Sequence, residues 1–417
     1  MKKKVLSLVL AFMMIFTCSA VLAGCGGSDE EAGDGAFKVG FICLHDENST
    51  YDKNFIDAAN AACENLGVEA VIKTNIPEGQ ECYDAACELV DAGCGIIFAD
   101  SFGHEDFMIQ AAKENPEVQF CHSTGTKAHT EGLDNYHNAF ASIYEGRYLA
   151  GVAAGMKLNE MIEAGEIKAE DAKMGYVGAF TYAEVVSGYT SFYLGAKSVC
   201  ETVTMDVTFT GSWYDEALEK EAANKLIEGG CVLISQHADS MGAPTACEKA
   251  GVPNVSYNGS TVDACPNTFI VSSRIDWTPY YEYAIKAAQG GEAIDVDWTG
   301  NLSTGSVVLT DINEDAAAEG TVEAVDEAKA KLEAGELQVF DASTFTVTVD
   351  KEKNINVNAT VGADGHMTGY QADVDTDADF APDTEVVENG AFMESKFRSA
   401  PYFDLQIDGI NLLDTKF

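Results

Sequence analysis

The feature that most limits the possible folds is a series of short apolar segments that occurs twice with nearly the same spacing. The segments of the first series start at Lys38, Val68, Gly95 and Val118, and those of the second at Met174, Val203, Cys231 and Asn254. Successive starts are 30, 27 and 23 residues apart in the first series and 29, 28 and 23 in the second. Amphipathic stretches of helical length separate the segments, which is typical of βαβ units on parallel sheets. The repetition predicts two similar α/β lobes.

We therefore expect an α/β fold with two doubly wound, Rossmann-like lobes that are joined by a hinge and face each other across a cleft. The first lobe is expected over residues 37–165 and the second over residues 166–300. Residues 301–417 are expected to cross back to the first lobe and then to form a C-terminal extension. An alternating segment from residue 344 and a Gly-Ala-Asp-Gly turn at residues 362–365 predict a small β-rich appendage there.

Residues 1–24 have the parts of an export signal. A basic segment at residues 2–4 precedes an apolar segment at residues 5–16, which is too short to span a bilayer, and then Leu-Ala-Gly-Cys ends at Cys25. This pattern resembles the bacterial lipobox, whose cysteine is acylated and becomes the first residue of the mature protein. We expect lipidation at Cys25, a flexible tether over residues 25–36, and a location on the extracytoplasmic face of the cell membrane. An ordinary secretory signal is the alternative.

The charge balance argues against one class of partner. The chain has 25 Lys+Arg and 68 Asp+Glu, for a net charge of -43, so binding to a nucleic acid polymer is not expected. Because 46% of the residues are hydrophobic, the chain can bury a core and most acids should be solvated. Its 12 cysteines contain no CxxC pair and fall largely in apolar segments. They predict buried free thiols rather than metal ligands, although disulfides would be permitted in an exported protein.

Aromatic and polar residues are concentrated directly after the predicted strands, where ligands bind to sheets of this kind. Aromatic rings stack on planar ligands, and carboxylates accept hydrogen bonds from ring N–H and hydroxyl groups. The predicted stacking or wall residues are Tyr51, Phe102, Trp213 and Trp277. The predicted polar partners of the ligand are Asp52, Ser101, Asp239, Asn258 and Asp276. For Asp52 the alternative is a helix cap, and for Phe102 a turn with a partly buried ring.

The sequence lacks the main signals of catalysis. No GxGxxG motif follows a predicted strand, and neither a phosphate-binding GxxxxGK[ST] loop nor an HExxH zinc motif occurs. We predict no catalytic residue, cofactor or metal site. His237, Asp239 and Ser240 contain triad-type groups, which leaves a hydrolase as an alternative. The acidic segment at residues 373–379 lacks the glycine and distal glutamate of an EF-hand, so a solvated loop is favoured over a calcium site.

Several segments are similar to the basic membrane protein family of substrate-binding lipoproteins, which serve ABC importers and include purine nucleoside receptors. Residues 48–52 resemble the family's D-x-S-F-N motif, with Tyr51 in the stacking position and Asp52 where asparagine is usual. Residues 144–155 and the SWYD and QHADS sequences are also similar. The resemblance runs from the lipobox to about residue 310 and implies the type I periplasmic-binding-protein architecture. It also implies a monomer that closes on a purine base or nucleoside and delivers it to an ABC permease.

The resemblance is compatible with more than one ligand. SWYD and QHADS are more similar to a branch assigned to purine bases than to nucleoside receptors. Residues 256–260 replace the G-V-D-x-D motif, whose aspartate is expected to hold a ribose. A receptor for a sugar or riboflavin, or a ligand-sensing lipoprotein without a role in transport, would fit the same architecture.

Overall fold

The computed structural model describes residues 36–374, 379 and 381–414. The predicted export signal, the lipidation site at Cys25 and the tether up to residue 35 lie outside these residues, as does most of the acidic segment at 373–379. None of the helices in the described ranges is long and apolar enough to cross a lipid bilayer.

Two sheets organise the molecule, one in each lobe. The first lobe has a six-stranded sheet made of β1 (Lys38–Ile42), β2 (Glu69–Lys73), β3 (Cys94–Ala99), β4 (Gln119–Ser123), β5 (Tyr136–Ala141) and β11 (Asp297–Gly300). The second lobe has a seven-stranded sheet made of β6 (Lys173–Gly178), β7 (Thr204–Phe209), β8 (Leu233–His237), β9 (Asn254–Tyr257), β10 (Phe269–Ile275), β12 (Val307–Leu309) and β18 (Ile410–Leu412).

The strand order is the same in both sheets and explains where a ligand can bind. The first sheet runs β2-β1-β3-β4-β5-β11, and the second runs β7-β6-β8-β9-β10-β12 with β18 added beside β7. The pairs are parallel apart from β10 with β12. The order reverses between β1 and β3 and again between β6 and β8, so a crevice opens at the carboxyl ends of these strands. The predicted two-lobed α/β fold is confirmed.

The helices that cover the sheets are α1 (Thr50–Leu66), α2 (Gln80–Asp91), α3 (Glu105–Glu114), α4 (Ala128–Glu131), α5 (Ile143–Glu163), α6 (Ala183–Val199), α7 (Glu216–Glu228), α8 (Gly242–Ala250), α9 (Thr278–Gly290) and α10 (Thr321–Glu333). Short 3₁₀ helices lie at Phe102–His104 and Ala169–Asp171. Capping starts two helices at the cleft: the Ser49 hydroxyl accepts from Asp52 N at the start of α1, and the Asp215 carboxylate accepts from Ala217 N and Leu218 N at the start of α7.

The lobes exchange helices, which the sequence did not indicate. α5 follows β5 of the first lobe but packs on α6 and β10 of the second, and α9 follows β10 but packs on α1 and β3 of the first. The chain therefore passes from one lobe to the other near residues 142, 276 and 301–306. The boundaries expected from the sequence, at residues 165 and 300, differ from these positions. The close fit of α5 on α6 requires glycine: a Cβ on Gly151 would lie 2.1 Å from Phe192 O. An apolar helix face predicts that the helix packs against another element, but it does not indicate which of the two sheets that element belongs to.

The C-terminal extension forms the expected small β-rich appendage. β13 (Ala359–Val361), β14 (Met367–Ala372) and β15 (Thr384–Glu385) form an antiparallel sheet, and β16 (Val387–Glu388) pairs with β17 (Ala391–Phe392). Its core is aromatic: the Phe403 ring lies 4.2 Å from Phe340 and 4.8 Å from Phe392. The chain then leaves the appendage, because β18 joins the edge of the second sheet in parallel with β7.

The cysteines agree with the prediction of buried thiols. All ten in the described ranges are free, and all except Cys87 are buried.

Candidate functional site

A cavity of about 230 Å³ lies between the carboxyl ends of the two sheets. Its lining residues follow strands in both lobes or belong to the C-terminal extension. The first lobe contributes Leu44, His45, Tyr51, Asp52, Ser101, Phe102, Thr124 and Thr126. The second lobe contributes Tyr182, Ala183, Glu184, Trp213, His237, Asp239 and Tyr257, and the extension contributes Arg398, Ala400 and Pro401. This volume is close to the lower end of the range of about 300–1,000 Å³ for small-molecule pockets.

Six of the predicted ligand residues line this cavity. They come from both lobes and are Tyr51, Asp52, Ser101, Phe102, Trp213 and Asp239. The Tyr51 hydroxyl donates to Asp100 O at 2.7 Å, which fixes its ring at the cavity edge. The Ser101 hydroxyl donates to Glu78 Oε1 at 2.6 Å.

The other three predicted ligand residues lie outside the cavity lining. Trp277 is 1% exposed and stacks on Phe55 at 4.6 Å in the core of the first lobe, so it is core rather than wall. Asp276 accepts from Thr278 N, at the first residue of α9, at 3.0 Å and lies 3.8 Å from Arg274. Both residues follow a strand, but β10 is followed by a helix that turns away from the cleft and packs on the first lobe.

Asn258 also lies behind the cavity wall, where it links the lobes. It has a positive φ of 66°, a conformation that asparagine tolerates better than most residues. Its side chain donates to Asp239 Oδ1 at 3.2 Å and accepts from Asn54 Nδ2 of the first lobe at 3.3 Å. Asn258 therefore connects the two lobes and contacts Asp239.

Asp52 is an ionised acceptor in the first-lobe wall. Burial raises its pKa, but hydrogen bonds from His45 and Ser49 outweigh burial and lower the pKa below its ordinary value. His45 N donates to Oδ1 at 2.7 Å, and the Ser49 hydroxyl donates to Oδ2 at 2.6 Å. Ser49, not Asp52, is the N-cap of α1, and Asp52 contributes to the cavity lining although it is 1% exposed.

The environment of Asp100 shifts its pKa in the opposite direction from that of Asp52. Burial and the nearby charge of Asp52 raise the pKa of Asp100 well above its ordinary value. Cys43, Asp52 and Asp100 are the one group in the described ranges that could hold a metal ion, with ligand atoms within 4.8 Å of one another. Burial and Asp100 also raise the pKa of the Cys43 thiol. Because the pKa values of Cys43 and Asp100 are raised, a cation bound there would have to displace protons from these groups.

The second-lobe wall contains a carboxyl group and an imidazole, and burial favours the uncharged form of each. Burial, with Asp52 and Glu219 nearby, raises the pKa of Asp239 well above its ordinary value. Burial lowers the pKa of His237. His237 Nε2 lies 2.9 Å from Glu184 Oε1, and its Nδ1 lies 3.3 Å from the Tyr176 hydroxyl. The wall therefore offers both donors and acceptors to a neutral ligand.

Aromatic rings meet across the cleft. Phe102 of the first lobe, which is 42% exposed, stacks on Tyr182 of the second with ring centroids 5.0 Å apart and planes 29° apart. Trp213 lies 5.9 Å from Tyr182, and His45 lies 5.4 Å from Tyr214 of the opposite lobe. Thr50 N also donates to Asp239 O at 3.0 Å. These contacts between lobes correspond to a closed cleft with flat rings in its wall.

Sequence reasoning missed 12 of the 18 lining residues. His45, Tyr182, Glu184, His237 and Tyr257 lie at the end of a strand or in the segment that follows it, so the position that identified Tyr51 and Asp239 was available for them too. Nothing in the sequence indicated Arg398, Ala400 or Pro401, because they lie far along the chain from the lobes they contact.

The family comparison agrees with this geometry. The profile of the family described as ABC transporter substrate-binding protein PnrA-like matches residues 42–339. The chain belongs to this family. A purine-binding protein of Brucella abortus is similar to it, with 30% identity over 335 residues that cover 79% of this chain and 89% of that protein. The predicted resemblance to basic membrane proteins is thus confirmed, and the family consists of extracytoplasmic solute-binding proteins rather than enzymes.

Two further proteins are similar to this chain, one in sequence and one in fold. A candidate glucose-binding protein of an ABC transporter from Haloferax volcanii is 34% identical over 51% of this chain and 51% of its own length. The solved structure of an ABC transporter solute-binding protein from Conexibacter woesei superposes with a TM-score of 0.60 and 21% identity. It covers 73% of this chain and 98% of that one, so the likeness in fold spans both lobes.

Proposed function

We propose that this member of the family captures a purine base between its lobes and presents it to an ABC permease. The observation that carries the proposal is the pairing of flat rings from both lobes, Phe102 and Tyr182, beside the ionised carboxylate of Asp52. Aromatic rings in a cavity wall can pack against a planar heterocycle, and a carboxylate can accept from its ring N–H groups. The cavity volume of about 230 Å³ favours a base over the larger nucleoside. The purine-binding relative supports the same ligand class.

Thermal unfolding with and without ligand tests this proposal. Adenine, hypoxanthine and guanine should each be compared with adenosine, inosine, glucose and riboflavin at the same concentrations. A ligand present at 100 times its dissociation constant stabilises the folded state by about 2.7 kcal/mol, which raises the midpoint measurably. Stabilisation by a base and a smaller effect of the nucleosides is the expected result. A midpoint unchanged by every base and nucleoside would reject the proposal.

A sugar is the second candidate ligand, favoured by the likeness to the candidate glucose-binding protein. Stabilisation by glucose alone would replace the purine proposal with this one. Mass spectrometry of the small molecule that co-purifies with the protein gives an independent answer, because a closed cleft releases its ligand slowly. A modified ligand in that experiment would indicate the hydrolase alternative.

We also propose that a lipid on Cys25 anchors the protein on the extracytoplasmic face of the membrane. The support is the Leu-Ala-Gly-Cys sequence that follows the basic and apolar segments. Replacing Cys25→Ser should release the protein from the membrane fraction at low and high salt. Cys18→Ser is the matched control, since that cysteine precedes the expected processing site. Membrane association of the Cys25→Ser variant would contradict the anchor.

A further inference from the structure

The C-terminal extension reaches the ligand cavity through residues 394–401, which we call the strap. These residues lie beyond residue 339, where the match to the family profile ends. Ala400 and Pro401 nevertheless line the cavity together with Arg398. The cleft of this protein therefore has a third wall that belongs to neither lobe.

Both lobes hold the strap. At its beginning, Glu394 Oε1 accepts from the Ser187 hydroxyl of α6 in the second lobe at 2.6 Å. Five residues later, Ser399 N donates to Asp297 Oδ2 at 2.9 Å, and Asp297 begins β11 of the first sheet. Glu394 is 1% exposed and Ser399 is 0% exposed, so the strap is packed structure rather than a loose tail. It thus spans the gap between the lobes beside the cavity.

Arg398 is the strap residue whose side chain can donate the most hydrogen bonds. Within the part of the chain that the structure describes, it is the one lysine or arginine that lines the cavity. Its Nε donates to Ala400 O at 3.2 Å, and its Nη1 donates to Asp373 O at 3.1 Å. Its Nη2 lies 3.5 Å from Pro401 O, the longest of the three contacts. A guanidinium has five N–H groups, and these contacts orient that of Arg398 at the cavity wall.

The charge of Arg398 complements that of the lobes. Burial lowers its pKa, but an arginine side chain stays protonated in proteins. The first-lobe wall presents the acceptor oxygens of Asp52, and the second presents Glu184. A planar ligand would therefore turn its N–H groups toward the lobes and an acceptor oxygen toward the strap.

Resting on the proposed function, we propose that the strap is a specificity wall on which Arg398 selects bases with an exocyclic carbonyl oxygen. An oxopurine such as hypoxanthine has both the N–H groups for the carboxylates and the carbonyl for the guanidinium. Adenine has an amino group at the equivalent position, which donates and cannot accept from Arg398. The extension is thus part of the recognition surface rather than an addition remote from it.

Calorimetric titration of hypoxanthine and adenine into the wild type, Arg398→Met and Arg398→Lys tests the proposal. Methionine keeps an unbranched apolar side chain without N–H groups, and lysine keeps the charge without the planar fork. Arg398→Met should weaken hypoxanthine about 10-fold to 100-fold, the effect of losing a hydrogen bond to a charged group, and change adenine by less than about threefold. Arg398→Lys should be intermediate for hypoxanthine. Arg274→Met is the matched control, because Arg274 lies outside the cavity lining, and it should change neither affinity.

The outcomes separate this inference from the proposed function. A wild type that binds neither base rejects the proposed function and this assignment with it. A wild type that binds bases, together with an Arg398→Met variant that keeps its hypoxanthine affinity or loses both bases equally, overturns the specificity role and leaves the purine proposal standing. Equal losses would mean that Arg398 only supports the fold of the strap.

Discussion

At the scale of residues, burial and hydrogen bonding shift the pKa values of the carboxyl groups at the site in different directions. Hydrogen bonds from His45 and Ser49 lower the pKa of Asp52, whereas burial raises the pKa of Asp100 and of Asp239. The pKa of the same residue type is therefore shifted in opposite directions at different positions of the site. Neighbours that are distant in sequence create this difference, so residue identity alone does not predict it.

Replacing Asp52→Asn should weaken purine binding about 10-fold to 100-fold, because a charged acceptor for ring N–H groups is lost. The dissociation constant from calorimetric titration measures this effect. Asp57→Asn on the same helix is the control: Asp57 is exposed and pairs with Lys53 at 2.8 Å, so its loss should change affinity by less than about twofold. Wild-type affinity in the Asp52→Asn variant would contradict the role of this carboxylate.

The two tryptophans after strands of the second lobe should respond differently to truncation. Trp277→Ala removes a fully buried ring from the core and should lower the free energy of unfolding by about 3–5 kcal/mol. Trp213→Ala removes a partly exposed cavity wall, so it should weaken ligand binding and cost less stability. Chemical denaturation and ligand titration of both variants separate the effects. Equal stability losses would contradict the division between core and wall.

At the scale of elements, the strand–helix junctions decide the shape of the cleft. α1 and α7 begin at the cleft with side-chain caps, which brings Tyr51, Asp52 and Trp213 to the cavity. Capping residues and strand periodicity are local signals, and these junctions were predictable for that reason. The swap of α5 and α9 between lobes was not predictable, since both helices carry an apolar face that either sheet could cover.

The link between α1 and the loop after β9 should control ligand release. Asn258→Gly keeps the left-handed backbone and removes the hydrogen bonds to Asp239 and Asn54. We expect ligand dissociation to become several times faster in stopped-flow measurements, because the closed cleft loses contacts between lobes. Asn75→Gly is the control, since Asn75 has a similar φ of 59° in an exposed loop. An unchanged rate of ligand dissociation in the Asn258→Gly variant would contradict the role of Asn258 in keeping the lobes together.

At the scale of the whole molecule, a very acidic chain keeps some of its acids in the interior. The net charge of -43 is consistent with a solvated surface, yet Glu219, Glu394 and Asp239 are all buried. Glu219 lies beneath the cavity wall, where Ser240 N and Asp215 N donate to its carboxyl group. Burial raises the pKa of Glu219 to about 7. The carboxyl group of Glu219, in the interior of the second lobe, therefore titrates near neutral pH.

This raised pKa predicts how one substitution changes the pH dependence of stability. Because the folded pKa of about 7 lies above the ordinary value of 4.5, the folded state binds this proton more tightly than the unfolded chain does. Stability from Glu219 is therefore lost as pH rises from 4.5 to 7, by at most about 3 kcal/mol. Glu219→Gln removes this loss, so its thermal midpoint should rise relative to the wild type as the pH is raised from 5 to 8. Glu228→Gln, at an exposed position of α7, should show a constant difference, and a constant difference for Glu219→Gln would refute the assignment.

The sequence by itself determined the two-lobed α/β fold, the family and the edge of the sheets at which the cavity lies. These follow from strand spacing, apolar periodicity and strand-end composition, which are properties of neighbouring residues. The tertiary structure alone decided which strand-end residues face the cavity, placing Trp277 in the core and Asn258 behind the wall. It also decided that Arg398, far from both lobes along the chain, completes the cleft. Such contacts depend on the packing of distant segments, for which a single sequence carries no local signal.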